Sequence, residues 1–316
     1  MKHLYLTTTI VTLLAVPSYA ADPITASVGG FAGIGLLYQN NDLDPEIGII
    51  NDGEVQFKFK GTSDNGLTFD GRVELEAFTT GDQIDEYYAR VSGSFGAILI
   101  GADDSSADAF VTGFFEPPAT YIGYMASEQG IFDSSTGGDV PAIRYTTPEI
   151  SGFSASVDWA PDATADGGDG VTGQQITFGE ETQRYSLGLG WSGSFSGIEI
   201  EVGGGFIDEE DGPESWVLGG IVGYEGVKFG AYYDEDGLDG EFSSLSIGLE
   251  YDTGSWTFAG GWSMALDGDD YNSWAIWANY ALAPGVTLTL GYEGNDDSDR
   301  TGGFDTTIAA YAYIAY

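Results

Sequence analysis

A two-residue alternation of apolar and polar side chains recurs along the chain, and it constrains the fold more than any other feature. Between Glu54 and Lys60, the side chains of Val55, Phe57 and Phe59 alternate strictly with Glu54, Gln56, Lys58 and Lys60. Such a run is a strand with one apolar face. After the polar turn Thr62-Ser63-Asp64-Asn65-Gly66 the pattern resumes, with Leu67, Phe69, Gly71, Val73, Leu75 and Ala77 set against Thr68, Asp70, Arg72, Glu74 and Glu76. Two alternating runs around a turn predict a hairpin. The same reading predicts sixteen strands, near residues 25–38, 54–61, 67–79, 84–92, 97–102, 142–147, 153–160, 183–192, 198–207, 215–224, 227–235, 243–251, 256–264, 271–280, 286–293 and 304–316.

The connections carry as much information as the strands. Short ones, at residues 92–96, 148–152, 193–197, 225–226, 252–255 and 281–285, alternate with mostly longer acidic ones. One end of the molecule therefore has tight turns and the other has long loops. An even strand count, strands of about ten residues and this asymmetry are the marks of a transmembrane β-barrel. In lipid only helices and closed barrels satisfy their own backbone hydrogen bonds, and no stretch of this chain reaches the roughly 18–20 apolar residues of a spanning helix. The last strand puts Ile308, Ala310, Ala312, Ile314 and Tyr316 on one face, and aromatics such as Trp216, Tyr224, Trp256, Tyr280 and Tyr292 gather near strand ends, as interfacial girdles do. The fold class is all-β, a 16-stranded antiparallel transmembrane barrel occupying residues 21–316.

Residues 1–20 read as a secretory signal peptide: Lys2 and His3 precede an apolar run from Leu4 to Val16, and Ser18-Tyr19-Ala20 is a small-x-small cleavage signal. Cleavage there removes the single His and leaves eight basic residues against 50 acidic ones, a net charge of −42. Nucleic acid is excluded as a partner by that balance. With no Cys at all, disulfides, thiolate catalysis and zinc-thiolate sites are excluded too. Hydrolases that need a His general base lose their essential group, so the chain reads as no enzyme and needs no cofactor.

Four segments resemble the general-diffusion porins of Gram-negative bacteria, in particular the trimeric alphaproteobacterial type. Asp85-Glu86-Tyr87-Tyr88-Ala89-Arg90-Val91-Ser92-Gly93-Ser94-Phe95-Gly96-Ala97-Ile98-Leu99-Ile100-Gly101 is similar to the strand, turn and strand that precede the family's long third loop. Ile143-Arg144-Tyr145-Thr146-Thr147-Pro148-Glu149-Ile150-Ser151-Gly152-Phe153 is similar to the segment after it. Gly29-Gly30-Phe31-Ala32-Gly33 and the C-terminal aromatic complete the resemblance. Ala102-Asp103 departs from it, standing where the family pattern has a basic residue after the Gly. The resemblance implies an outer-membrane location, contact with lipid and lipopolysaccharide, a homotrimer, passive passage of small hydrophilic solutes and ions, and recognition of Ile314 and Tyr316 as a signal by the barrel-assembly machinery.

Of the eight basic residues, Lys58, Lys60, Arg72, Arg90, Arg144, Arg184 and Lys228 fall on the polar phase of predicted strands, while Arg300 lies in a loop. This phase faces the lumen, so the seven form a basic pore wall, apart from those that pair with wall acids such as Glu54, Asp70, Glu74, Glu76 and Glu86. The connection from Asp103 to Val140 is too long for an idle hairpin loop. It carries Asp103, Asp104, Asp108, Glu116, Glu128, Asp133 and Asp139 among aromatics. The resemblance implies that this third loop folds into the barrel and sets its acids opposite the basic wall. The acidic excess predicts a preference for cations. Acids of the outer loops, with Asp234, Asp236, Asp267 and Asp269 as candidates, suit calcium, although no twelve-residue calcium loop is present. A substrate-specific channel of the same fold and a secreted calcium-binding β protein are the alternatives. The first would need a binding ladder in the lumen beyond Tyr88 and Tyr232, and the second a Gly-Asp repeat.

Overall fold

The computed structural model describes residues 22–40, 46–78, 84–113, 115, 140–163, 182–210, 214–236, 242–266, 272–295 and 306–316. These residues form sixteen strands: β1 (Asp22–Asn40), β2 (Glu46–Thr62), β3 (Thr68–Glu76), β4 (Tyr87–Gly93), β5 (Gly96–Ala102), β6 (Pro141–Thr146), β7 (Phe153–Ala160), β8 (Arg184–Phe195), β9 (Ile198–Glu209), β10 (Glu214–Tyr224), β11 (Val227–Asp236), β12 (Phe242–Asp252), β13 (Trp256–Ala265), β14 (Asn272–Ala283), β15 (Val286–Asn295) and β16 (Thr306–Ala315). Each is antiparallel to its neighbours in sequence, and β1 pairs with β16 to close the barrel. Closure runs from Phe31 opposite Ala315 to Asn40 opposite Thr306. One step further, Gly30 and Tyr316 exchange both backbone hydrogen bonds at 3.0 Å. The barrel therefore leaves no unpaired seam along these residues.

The alternation in sequence becomes an inside and an outside. On β8, Tyr185, Leu187 and Leu189 are exposed outward while Arg184, Ser186, Gly188 and Gly190 are buried inward. Outward apolar residues surround the barrel, among them Ile34, Leu36, Leu218, Phe229, Leu249 and Ile276, which is the arrangement that lipid requires. Aromatic pairs lie near both ends of the strands. Trp216 and Tyr233 (ring centroids 4.8 Å apart) and Trp274 and Tyr292 (4.9 Å) are at the long-loop end, and Trp256 and Tyr280 (4.7 Å) are at the other. Three of the tight turns share one geometry: Ser151-Gly152, Ser196-Gly197 and Glu225-Gly226 all have positive φ at both residues, as in two-residue hairpin turns whose twist matches the strands. Among the described residues no helix is long and apolar enough to cross a membrane.

The sixteen predicted strands are all present, but β2 begins at Glu46 rather than near residue 54. Here Ile49 and Ile50 put apolar side chains on both phases and hide the alternation. Ile49 is exposed outward, whereas Ile50 packs inside the barrel with Ala259, Ala275, Trp277 and Ala309, and Leu37 and Phe115 pack against that cluster.

Candidate pore wall and its inward segment

The strand register collects five of the seven predicted wall cations into one patch. Lys58 is opposite Arg72 and Lys60 opposite Asp70. Asp70 is in turn opposite Arg90, and Arg72 opposite Tyr88. The row continues from Arg90 to Leu99, from Leu99 to Arg144 and from Arg144 to Asp158. A chain of in-register neighbours on one face of a sheet places all these side chains toward the lumen.

Most of the patch is internally compensated. Arg72 contacts Glu86, lies 2.5 Å from Glu74 Oε1 and 3.2 Å from Asp103 Oδ1. Arg144 donates through Nη1 to Asp103 Oδ2 at 2.9 Å and through Nη2 to the Asp103 carbonyl at 3.1 Å. Arg90 grips Asp70 through Nε and Nη2, at 3.0 and 2.7 Å. The Tyr88 ring lies between two guanidinium groups, with Arg72 Cζ 5.3 Å and Arg90 Cζ 5.7 Å from its centroid, both within cation–π range. Arg72, Tyr88, Arg90, Leu99, Asp103 and Arg144 line a recess of about 320 Å³. Lys58 and Lys60 are exposed and make no ion pair among the described residues.

From Asp103 the chain turns in against the wall. The Ser106 N–H donates to the Asp158 carboxylate, Ser106 Oγ lies 2.8 Å from Ser156 Oγ, and the Ala107 N–H donates to Ser186 Oγ at 2.8 Å. A short 3-10 turn (Asp108–Phe110) follows. Beyond it, a methyl group added at Gly203 would overlap the Phe110 carbonyl oxygen, and one at Gly219 would overlap that of Thr112. Residues 103–113 thus run along the inner faces of β7 to β11, and Phe115 reaches Gly248 of β12.

A closed sixteen-strand barrel with an apolar exterior, a charged interior wall and a segment laid inside it is the geometry of a water-filled pore. The family model described as Gram-negative porin matches residues 7–300. The chain belongs to the Gram-negative porin family. A loop L8 deletion form of OmpT, an outer membrane protein of Vibrio cholerae, superposes with a TM-score of 0.66 at 15% identity, covering 93% of this porin and 99% of that chain. A variant of the Rh. blastica porin superposes with a TM-score of 0.64 at 18% identity, covering 92% and 100%. At these identities the likeness is one of fold. A search of curated proteins gives no significant match.

In this porin the seven predicted wall cations separate into groups. Lys58, Lys60, Arg72, Arg90 and Arg144 form the patch. Lys228 stands apart beside the Glu225-Gly226 turn, 2.8 Å from Glu250 Oε1. Arg184 points inward as expected but is 1% exposed, so it does not present its charge to open water. Its position is opposite Ala160 and Glu209 at the long-loop end of β8.

The acids need larger corrections. Asp103 does not stand opposite the basic wall; it is 8% exposed and buried in the wall itself, between Arg72 and Arg144. Such burial follows from charge pairing, because a carboxylate leaves water only where cations receive it. Asp104 is exposed and Asp108 half-buried, while Glu116, Glu128, Asp133 and Asp139 lie outside the described residues. Of the calcium candidates, Asp234 is not a loop residue: it sits within β11, 1% exposed on the inward face. Asp236 ends the same strand, and Asp267 and Asp269 lie outside the described residues. Carboxylate oxygens of Glu86, Asp103 and Asp104 come within 4.8 Å of one another, but Glu86 and Asp103 already face Arg72. Ile314 and Tyr316 are outward and exposed at the closing strand.

Sequence reading passed over Ser156, Asp158, Ser186 and the wall glycines. Their one signal was a run of small residues within the inward phase of β7 to β10: Ser154, Ser156, Ser186, Gly188, Gly190, Gly203, Gly205 and Gly219.

Proposed function

We propose that this porin is a general-diffusion channel of the outer membrane, prefers cations, and passes small hydrophilic solutes without chemical conversion. The observation that supports this most directly is the state of the wall charges. Arg72, Arg90 and Arg144 are held by Glu74, Glu86, Asp70 and Asp103, so the patch offers far less free positive charge than its composition suggests. Against that stand 50 acidic residues in the chain. An acidic mouth raises the local cation concentration, and a paired wall does little to oppose it.

Segment 103–113 narrows the lumen from the β7–β11 side. Charges held on facing sides of a narrow aqueous gap are incompletely screened, which orients dipolar solutes and disfavours apolar ones. The same reading includes export through cleavage after Ala20, assembly through the C-terminal aromatic and a homotrimer. The small outward phase of β1, with Ala26, Gly30 and Ala32, permits flat packing between barrels.

Zero-current potential across a planar bilayer under a tenfold salt gradient tests the reading. A stable conductance with cation-directed reversal is expected. Anion-directed reversal would refute the charge argument, and no conductance from folded protein would refute the channel. Cross-linking in detergent checks the trimer, and mass spectrometry of the exported chain checks the cleavage site.

A further inference from the structure

We propose that the bore of this channel is set by a glycine seat built into the inner wall of β8 to β11, and that Gly203 and Gly219 are its positioning residues. The proposal rests on the channel reading above and names the part of the wall that decides how much cross-section remains for solute.

Glycine inside a strand is unfavourable, because it is the most flexible residue unfolded and offers no side chain to pack. A cluster of inward glycines therefore calls for a reason, and the usual one is close approach of another backbone. That approach is visible here. Methyl groups added at Gly188, Gly203, Gly219 and Gly230 would overlap the carbonyl oxygens of Ser106, Phe110, Thr112 and Gly113 in turn. One added at Gly205 would overlap Ala107, and one at Gly190 would meet the Phe110 ring at 2.5 Å. A blocking carbonyl cannot swing aside as a side chain can, so a methyl group forces the whole segment off the wall.

The seat is continuous: Gly190 is opposite Gly203 and Gly203 opposite Gly219, with Gly188 opposite Gly205 one pair along. It is also specific to the segment's path. Gly223 lies on the same inward phase of β10, but a methyl group there meets only the side-chain atoms Lys228 Cγ at 3.4 Å and Glu199 Oε2 at 3.5 Å. Both ends of the seated segment are fastened. Asp103 is held by Arg72 and Arg144, the Ser106 and Ala107 N–H groups are held by Asp158 and Ser186, and Phe115 packs against the Ile50–Trp277 cluster. Between these anchors the only direction left for a displaced backbone is toward the pore axis.

Two measurements test the seat. Single-channel conductance and liposome-swelling rates for sugars of increasing size are compared among wild type, Gly203→Ala, Gly219→Ala and Gly223→Ala. The seat variants should lose roughly twofold in conductance and proportionally more flux for the larger sugars, while Gly223→Ala matches wild type. Unchanged conductance in folded Gly203→Ala and Gly219→Ala, or an equal loss in Gly223→Ala, overturns the proposal. Independently of whether those variants fold, Ser106→Cys with Ser156→Cys in this cysteine-free chain places two thiols where the hydroxyls are 2.8 Å apart. Under oxidised glutathione a disulfide should form in the membrane-inserted protein and leave conductance unchanged. No disulfide, or a disulfide that changes conductance, shows that the conducting pore does not hold the segment in its seat. A wild-type protein that forms no channel refutes the reading on which the seat depends, whereas the disulfide yield still reports whether the segment is seated.

Discussion

The two sides of the lumen are built by opposite means. From β2 to β6 the wall is made of long charged side chains, with three arginines, two lysines and the acids between them. Across the middle of β8 to β11 it is made of glycines, and the backbone of residues 105–113 supplies the lining instead, while the larger inward side chains of these strands, among them Arg184, Ile207, Tyr232 and Asp234, stand nearer the long-loop end. The contrast is one of solvation. Charges near a low-dielectric wall must be compensated where they stand, so the arginine side becomes a network in which each guanidinium is held. A backbone segment can lie against a sheet only where side chains are removed, so the other side becomes glycine and serine.

The comparison is most exposed to failure at Asp103, which joins the two sides. Asp103→Ala leaves Arg144 buried and Arg72 short of one partner, and removing one member of a buried ion pair costs about 3–5 kcal/mol. The unfolding midpoint of the detergent-solubilised barrel should fall clearly, and the reversal potential should move toward anions. An unchanged midpoint would mean that the network is not structural. The next largest effect is expected at Asp158, which accepts the Ser106 N–H. Asp158→Ala leaves that buried donor unsatisfied, at about 1–3 kcal/mol, and should add current noise as the segment loosens. A quiet channel of native stability would show that the glycines alone hold it.

Lys58→Gln with Lys60→Gln probes the uncompensated part of the charged side. Cation preference should rise at 0.1 M salt and the difference should shrink at 1 M, where the Debye length is about 3 Å, with stability within about 0.5 kcal/mol of wild type. A large loss of stability would show that the lysines are paired after all. Smallest is Lys228→Gln: its pair with Glu250 is partly exposed, so about 1 kcal/mol or less is at stake, and conductance should not change.

Much of the barrel was legible in the chain because alternation is a local property. Phe57, Lys58 and Phe59 declare inside and outside without reference to any other strand. The failures occurred where a residue's role depends on something distant. Ile50 broke the alternation because it packs inside the barrel in a cluster with Ala275, Trp277 and Ala309 of β14 and β16. Arg184 kept the correct phase yet is buried. Asp103 looks from its neighbours like a charge facing the basic wall, because nothing local reveals that Arg72 and Arg144 close around it.

By itself, the sequence determined the number and order of the strands, the face of each that meets lipid, the tight turns and the family, since strand periodicity, turn residues and motif spacing are written within a few consecutive positions. Only the tertiary structure decided which charges neutralise one another and why glycines cluster on the inward phase at the middle of β8 to β11. Ion pairing depends on distances of a few ångströms between residues such as Arg72 and Asp103, 31 positions apart. The space that a glycine leaves acquires meaning only when another backbone occupies it.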